Sequence, residues 1–205
     1  MSKKAIIMTQ RIWVTSDLHF GHQNIIRLGK GRPFATIEEH DQTLINNWNS
    51  VVNNEDSVYV LGDVYLGVDG EYLEKIFRQL KGAIHVITGN HDRKKEMAYL
   101  LNKNLIQSLR DYHELRYRSE VDDKVYRFPM FHYPILEFNG AYKNGKNKVN
   151  APIYIHLYGH IHNIVNYDEI YKKLGFNAYH VGVDTNNFTP VALEDIISKF
   201  RPSDE

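Results

Sequence analysis

The stretch "LYGHIHNIV" (residues 157–165) closes a run of strand character, "PIYIHLY" (152–158), and at once presents two histidines, His160 and His162, behind Gly159. A core histidine needs one hydrogen-bond partner and no twin. Two imidazoles in alternation after a glycine read instead as ligands aimed at one small volume. The same grammar recurs along the chain. "RIWVT" (11–15) leads into "SDLH" (16–19), and "SVYVL" (57–61) into "GDV" (62–64). "AIHVI" (83–87) leads into "TGNHD" (88–92), and "YRFPMF" (126–131) into "HYP" (132–134). Each apolar run is short and rich in Val, Ile, Tyr or Phe, the signature of a buried strand.

Helical patterns separate the first of these strands. Thr36 and Glu39 form a capping box before a run in which Leu44, Ile45, Trp48, Val51 and Val52 share a face, with Asn53-Asn54 as its end. Tyr72, Leu73, Ile76, Phe77 and Leu80 repeat the pattern, with Gly82 as the expected stop. A third helix is expected from near Arg93, carrying Met97, Leu100 and Leu101. "DYHELRYR" (111–118) and "KVYRFPMF" (124–131), joined by "SEVDD", predict a hairpin. The chain is therefore α/β, with further strands supplied late.

Ligands in such folds gather beyond the carboxyl ends of the strands. Five strands here end in Asp, His or Asn. Placed side by side, they bring Asp17, His19, Asp63, Asn90, His91, His132, His160 and His162 to one cleft. Alternation about Leu18 and about Ile161 points each pair the same way along an extended turn. Without a cysteine in the chain, a metal there is held by nitrogen and oxygen alone.

Composition excludes other classes. At 205 residues, a single domain over 1–205 is expected. Lys+Arg and Asp+Glu both number 25, which argues against a protein built to coat long nucleic acid. No apolar run approaches the roughly 18 residues of a membrane span. Thr9, Gln10 and Arg11 interrupt the N-terminal apolar stretch, which reads poorly as a signal peptide. A cytoplasmic location is expected.

"SDLHFGH", "LGDV", "TGNHD", "FHYP" and "YGHIH", in this order, resemble the motifs of the calcineurin-like metallophosphoesterases. The match spans residues 12–162, and "YHVGVDTNNFTPVALEDI" (179–196) is similar to the family's closing strand and tail. The "HFGH" variant is similar to small bacterial and phage phosphoesterases. The resemblance implies a four-layer α/β/β/α sandwich of two mixed sheets flanked by helices, with two divalent metal ions. By the same resemblance Asp17, His19 and His162 hold one metal. Asn90, His132 and His160 hold the other, and Asp63 bridges the two. His91 contacts the phosphate and protonates the leaving oxygen. A metal-bridging hydroxide then hydrolyses a small phosphoester, monoester or diester, with a nucleotide-like substrate favoured. Manganese is the expected metal, with iron, nickel and zinc as alternatives, because such a donor set suits them all.

One position departs from the pattern. Many relatives carry an aspartate three residues after the bridging one, where it orients the catalytic histidine. Leu66 stands there, leaving Asp92 or a backbone carbonyl for that task. His22 is read either as reaching the phosphate or as ordering its loop. Asn24, Arg27 and Arg32 are read as phosphate contacts or as a solvated loop. Residues 137–150, with Lys143, Lys146 and Lys148, are a surface loop or a lid. A catalytically silent protein-binding scaffold and a nuclease acting on nucleic-acid ends are the alternative functions. The zero net charge predicts no binding of long duplex nucleic acid. Composition leaves the oligomeric state undetermined.

Overall fold

A computed structural model describes residues 10–28, 31–141, 151–164 and 167–200. The three insertion lysines, Lys143, Lys146 and Lys148, lie outside these residues. Along the chain run β1 (Ile12–Thr15), α1 (Ile37–Val51), β2 (Ser57–Leu61), α2 (Gly70–Phe77), β3 (Ala83–Ile87), α3 (Lys94–Asn102) and β4 (Ser108–Arg110). There follow β5 (His113–Arg118), β6 (Val125–Met130), β7 (Ile153–Tyr154), β8 (His156–Tyr158), α4 (Asp168–Leu174), β9 (Ala178–His180), β10 (Val191–Ala192) and α5 (Leu193–Lys199).

The strands form two sheets. The first has the order β10-β1-β2-β3-β4, parallel except for the β10 edge. The second has the order β5-β6-β8-β9, with β7 also on β6. The β5/β6 hairpin is antiparallel, and β8 pairs in parallel with β6 and β9. Strand alternation sorts the apolar side chains into layers. Val58, Val60, Ile84 and Val86 pack under α1–α3 through Leu44, Trp48, Leu73, Phe77, Met97 and Leu100. Val14, Leu61 and Ile87 face the other way, onto Tyr126, Phe128, Met130, Ile155 and Leu157 of the second sheet. Tyr158 and Ala178 bury the outer face of that sheet against Tyr171 and Phe176, at α4 and its C-terminal end. The result is the four-layer α/β/β/α sandwich of two mixed sheets flanked by helices. Strands buried on both faces explain why the first-half runs read as continuously apolar.

The helix signals translate with small changes. Thr36 caps α1, its Oγ1 accepting from the Glu39 amide, while Glu39 reaches back to the Ala35 amide rather than to Thr36. α2 stops at Phe77, short of the expected Leu80 and Gly82. The carbonyls just beyond it are taken by α1 side chains. Asn49 Nδ2 donates to Gln79 O, and Trp48 Nε1 donates to Lys81 O. The run "PIYIHLY" is two short strands rather than one. Its partner changes there, from Arg127 O for the Ile155 amide to Asn177 O for the His156 amide.

Asp56 ties the edges of this scaffold together. Its buried carboxylate accepts from the Arg11 amide, Trp13 Nε1 and the Asn53 amide. Asp56→Ala leaves all three donors unpaired, and we expect a loss of about 2–4 kcal/mol in urea unfolding, with unchanged metal content.

Candidate metal centre

The loops after β1, β2, β3, β6 and β8 all open at one end of the two sheets. The loop after β1 is zipped to the loop after β2: the Asp17 amide donates to Gly62 O, the His19 amide to Asp63 O, and the Phe20 amide to Val64 O. The loop after β8 joins them, because the His160 amide donates to both Asp17 carboxylate oxygens at 3.0 and 3.1 Å. The Gly159 amide donates to His132 O.

Side-chain aim comes from an unexpected backbone. Asp17, His19, Asp63, His160 and His162 all have positive φ, between 49° and 72°. The alternation expected of an extended turn is instead a set of left-handed residues, each costing about 1–3 kcal/mol and persisting only where the surroundings over-determine it. Two glycines allow the close approach. A Cβ on Gly89 would collide with the Asp63 amide and carboxylate, and one on Gly159 with Ser16 Oγ and Asp17 Oδ2.

The ligand atoms fall into two sets. Asp17, His19 and His162 offer atoms within 4.8 Å of one another, and so do Asp63, His132 and His160. Asp63 Oδ2 lies between the sets, 3.6 Å from His19 Nε2 and 3.5 Å from His132 Nε2. Asn90 Oδ1 faces His132 Nε2 at 3.0 Å. Leu61 O accepts from His132 Nδ1 at 2.8 Å, which turns Nε2 toward the cleft. His19 is 2% exposed, and neither of its ring nitrogens has a hydrogen-bond partner in the protein. A buried imidazole orphaned at both nitrogens costs free energy unless a cation takes one lone pair. The residues thus fit divalent metal ions, held by nitrogen and oxygen alone.

The electrostatics agree. Burial would raise the Asp63 carboxyl, yet the hydrogen bond and charge of His132, the His91 amide and the charge of His19 hold it at about 2. Burial pushes the His19 imidazole well below its ordinary value, against the pull of Asp63. Burial also lowers His160 and His22. His132 is raised instead, because Asp63 and Asp17 outweigh its burial.

His91 projects beside this centre. Its amide donates to Asp63 Oδ1 at 2.9 Å, its Nε2 is 3.9 Å from Asp63 Oδ2, and its side chain is 40% exposed. Asp92 does not orient its ring. The Asp92 carboxylate accepts from the amides of Asp63, Val64 and Gly89, so it orders the loop that carries His91. Burial lifts the Asp92 carboxyl to about 6, against those backbone bonds. His22 lines the cleft with its ring 5.3 Å from that of His19, while its amide donates to His19 O. Asn24 and Arg27 are exposed on the turn beyond it.

Arg32 has a different place from the substrate contact expected of it. It is buried, and all five of its N–H donors meet acceptors within the protein. Nε and one Nη2 donor grip the Asp184 carboxylate at 2.9 Å each. The others reach Leu18 O, Asp17 O and His40 Nε2. None is left for a phosphate. Asp184 in turn holds His162 Nδ1 at 2.8 Å. Burial would raise the Asp184 carboxyl, but the His162 bond and the Arg32 charge keep it at about 2. Asp184 is the functional residue that motif reading missed. It lies in "VGVD", within the closing segment, and only the fold brings it to His162.

The profile of the calcineurin-like phosphoesterases matches residues 10–177. The chain belongs to this family. It is 31% identical over 193 residues to the uncharacterized protein MJ1445 of Methanocaldococcus jannaschii, covering 92% of this chain and 90% of that one. It is 39% identical over 83 residues to the gene 66 protein of Mycobacterium phage L5, covering 39% of each. Among solved structures, a protein of unknown function from Aquifex aeolicus, AQ665, superposes with a TM-score of 0.67 at 23% identity. That alignment covers 93% of this chain and all of the other, and it shows the shared fold. A family of phosphoesterases, with Asp/His sets suited to divalent ions, makes this a metal-binding phosphoesterase chain. Among the described residues no helix is long and apolar enough to cross a membrane.

Arg32→Ala would remove the bidentate guanidinium from the buried Asp184 carboxylate and take its donors from the carbonyls of Asp17 and Leu18. We expect a loss of about 3–5 kcal/mol in denaturant unfolding, far more than for the exposed Arg27→Ala.

Proposed function

We propose that this chain is a dinuclear-metal-dependent hydrolase of a small phosphoester, with a nucleotide-like substrate favoured and manganese as the assay metal. The observation that carries the reading is Asp63 Oδ2 standing between two ligand sets, within 3.6 Å of a histidine nitrogen of each. Asp17, His19 and His162 would hold one ion. His132, His160 and Asn90 would hold the second, with Asp63 shared. Two divalent ions so held polarise phosphoryl oxygens and acidify water toward neutral pH.

The remaining work belongs to the chain. A shared carboxylate lets two cations sit close where a neutral group would leave them repelling. Asp184 fixes the tautomer of His162, which would leave Nε2 available to bind a metal, an arrangement common around metal-bound histidine. His91, open to the cleft, is placed to give its ring proton to the departing oxygen. Histidine is suited to that task near neutral pH. Zero formal net charge gives little long-range attraction for a polyanion, which favours a small substrate over long duplex nucleic acid. We place the protein in the cytoplasm.

Asp63→Asn should release at least one metal ion and abolish turnover, measured by elemental analysis and hydrolysis of p-nitrophenyl phosphates. Near-normal metal content with near-normal turnover would defeat the proposal. His91→Ala should keep its metal and lose about 10²–10⁴-fold in rate. The loss should be smaller for nitrophenyl esters, whose leaving group needs less protonation, than for alkyl esters. Equal losses would count against the proton-donor role.

A further inference from the structure

His91 lines two cavities, one mainly apolar and one with charged side chains in its wall. One, about 250 Å³, has His19, His22 and His162 at its polar side and Ile25, Leu28 and Ile164 at its apolar side. Ile25 is buried, whereas Leu28 is 55% and Ile164 61% exposed. Two large aliphatic side chains open to solvent form, with Ile25, an apolar shelf beside a histidine cluster, where burial of an apolar group is favourable. Arg32 is the cation among the described residues of this wall, and its donors are all engaged. Among the described residues of this wall a second phosphate would meet no free guanidinium or ammonium, whereas a flat apolar group would meet matching chemistry. The other cavity, about 620 Å³, is mixed: Asp69, Arg93 and Glu96 stand around it with His91, and Tyr65, Leu66, Val68 and Tyr72 complete its wall.

A phosphomonoester has one ester substituent and needs one such room. A phosphodiester has two substituents and a single charge on its phosphate. Resting on the hydrolase reading above, we propose that the substrate is a phosphodiester. A planar, apolar-faced ester group lies on the Ile25–Leu28–Ile164 shelf, and a polar, hydroxyl-bearing group lies in the cavity beyond His91. A nucleobase-bearing or aryl ester fits the first position. Hydrolysis adds the oxygen of water to phosphorus and breaks one P–O ester bond. The leaving oxygen takes a proton from His91, which regains one from the attacking water, so one monoester and one alcohol result. Leu28 and Ile164 set specificity and belong to neither ligand set.

The test uses the full chain loaded with Mn²⁺. Calorimetry compares diphenyl phosphate with dimethyl phosphate, which share charge and phosphoryl geometry. Diphenyl phosphate should bind at least about tenfold more tightly, from burial of a ring on the shelf. In the double variant Leu28→Ser, Ile164→Ser the preference should collapse, with metal content and dimethyl phosphate affinity unchanged. Equal affinities in the native chain, or a preference that survives in the variant, would overturn the shelf. In turnover, bis(p-nitrophenyl) phosphate should be preferred over p-nitrophenyl phosphate in kcat/KM, and the variant should lose that preference through KM. The reverse preference would overturn the diester assignment. If no ester were cleaved while the binding preference held, the hydrolase reading would fall and the shelf would stand.

Discussion

Five side chains of the cleft sit on backbone with positive φ, and each has to be held there. A non-glycine residue in this region gives up free energy, of order 1–3 kcal/mol, that its surroundings must supply. They do so with buried charge. Arg32 binds the carbonyls of Asp17 and Leu18. The Asp92 carboxylate binds the amides of Asp63, Val64 and Gly89. The Asp17 carboxylate binds the His160 amide across the cleft, linking loops 143 residues apart in sequence. Without these clamps the loops would relax to ordinary turns, and their side chains would no longer share one volume.

The clamps join into a longer network. Asp41 accepts from Tyr72 Oη and the Gly21 amide, and it meets His40 Nδ1 at 2.7 Å. Because Arg32 donates to His40 Nε2, that ring is neutral and passes its Nδ1 proton toward Asp41. From Arg32 the chain of contacts runs through Asp184 to His162. Helix α1, helix α2 and the C-terminal segment are thereby fastened to one candidate ligand. A buried network of this kind is stabilising only when every member is satisfied. Stability and site geometry therefore depend on the same residues, and damage at Asp184 or Arg32 reaches both.

The surroundings of His91 separate this chain from the commoner pattern. With Leu66 in place of an acid, no described side chain forms a hydrogen bond to its ring. His91 lines both a mainly apolar cavity and a mixed one. His19 and His162 of one ligand set share the wall of the apolar cavity with Ile25, Leu28 and Ile164.

Strand character, followed at once by Asp, His or Asn, was visible in the linear order of residues. So were the α1 cap at Thr36 and the β5/β6 hairpin. These features are local: strand alternation, capping and ligand chemistry are written in neighbouring residues, and the order of motifs carried the family. The role of Arg32 was not legible, because a guanidinium in "KGRP" reads the same whether it faces solvent or is wrapped by five acceptors. Asp184 gave no signal of its own, since its partners lie 22 and 152 residues away. The left-handed backbone at the ligand positions, the split of the β7/β8 run and the shelf of Leu28 and Ile164 likewise required the fold. Each depends on contacts between segments far apart in the chain, and such contacts exist only once the two sheets have closed on each other.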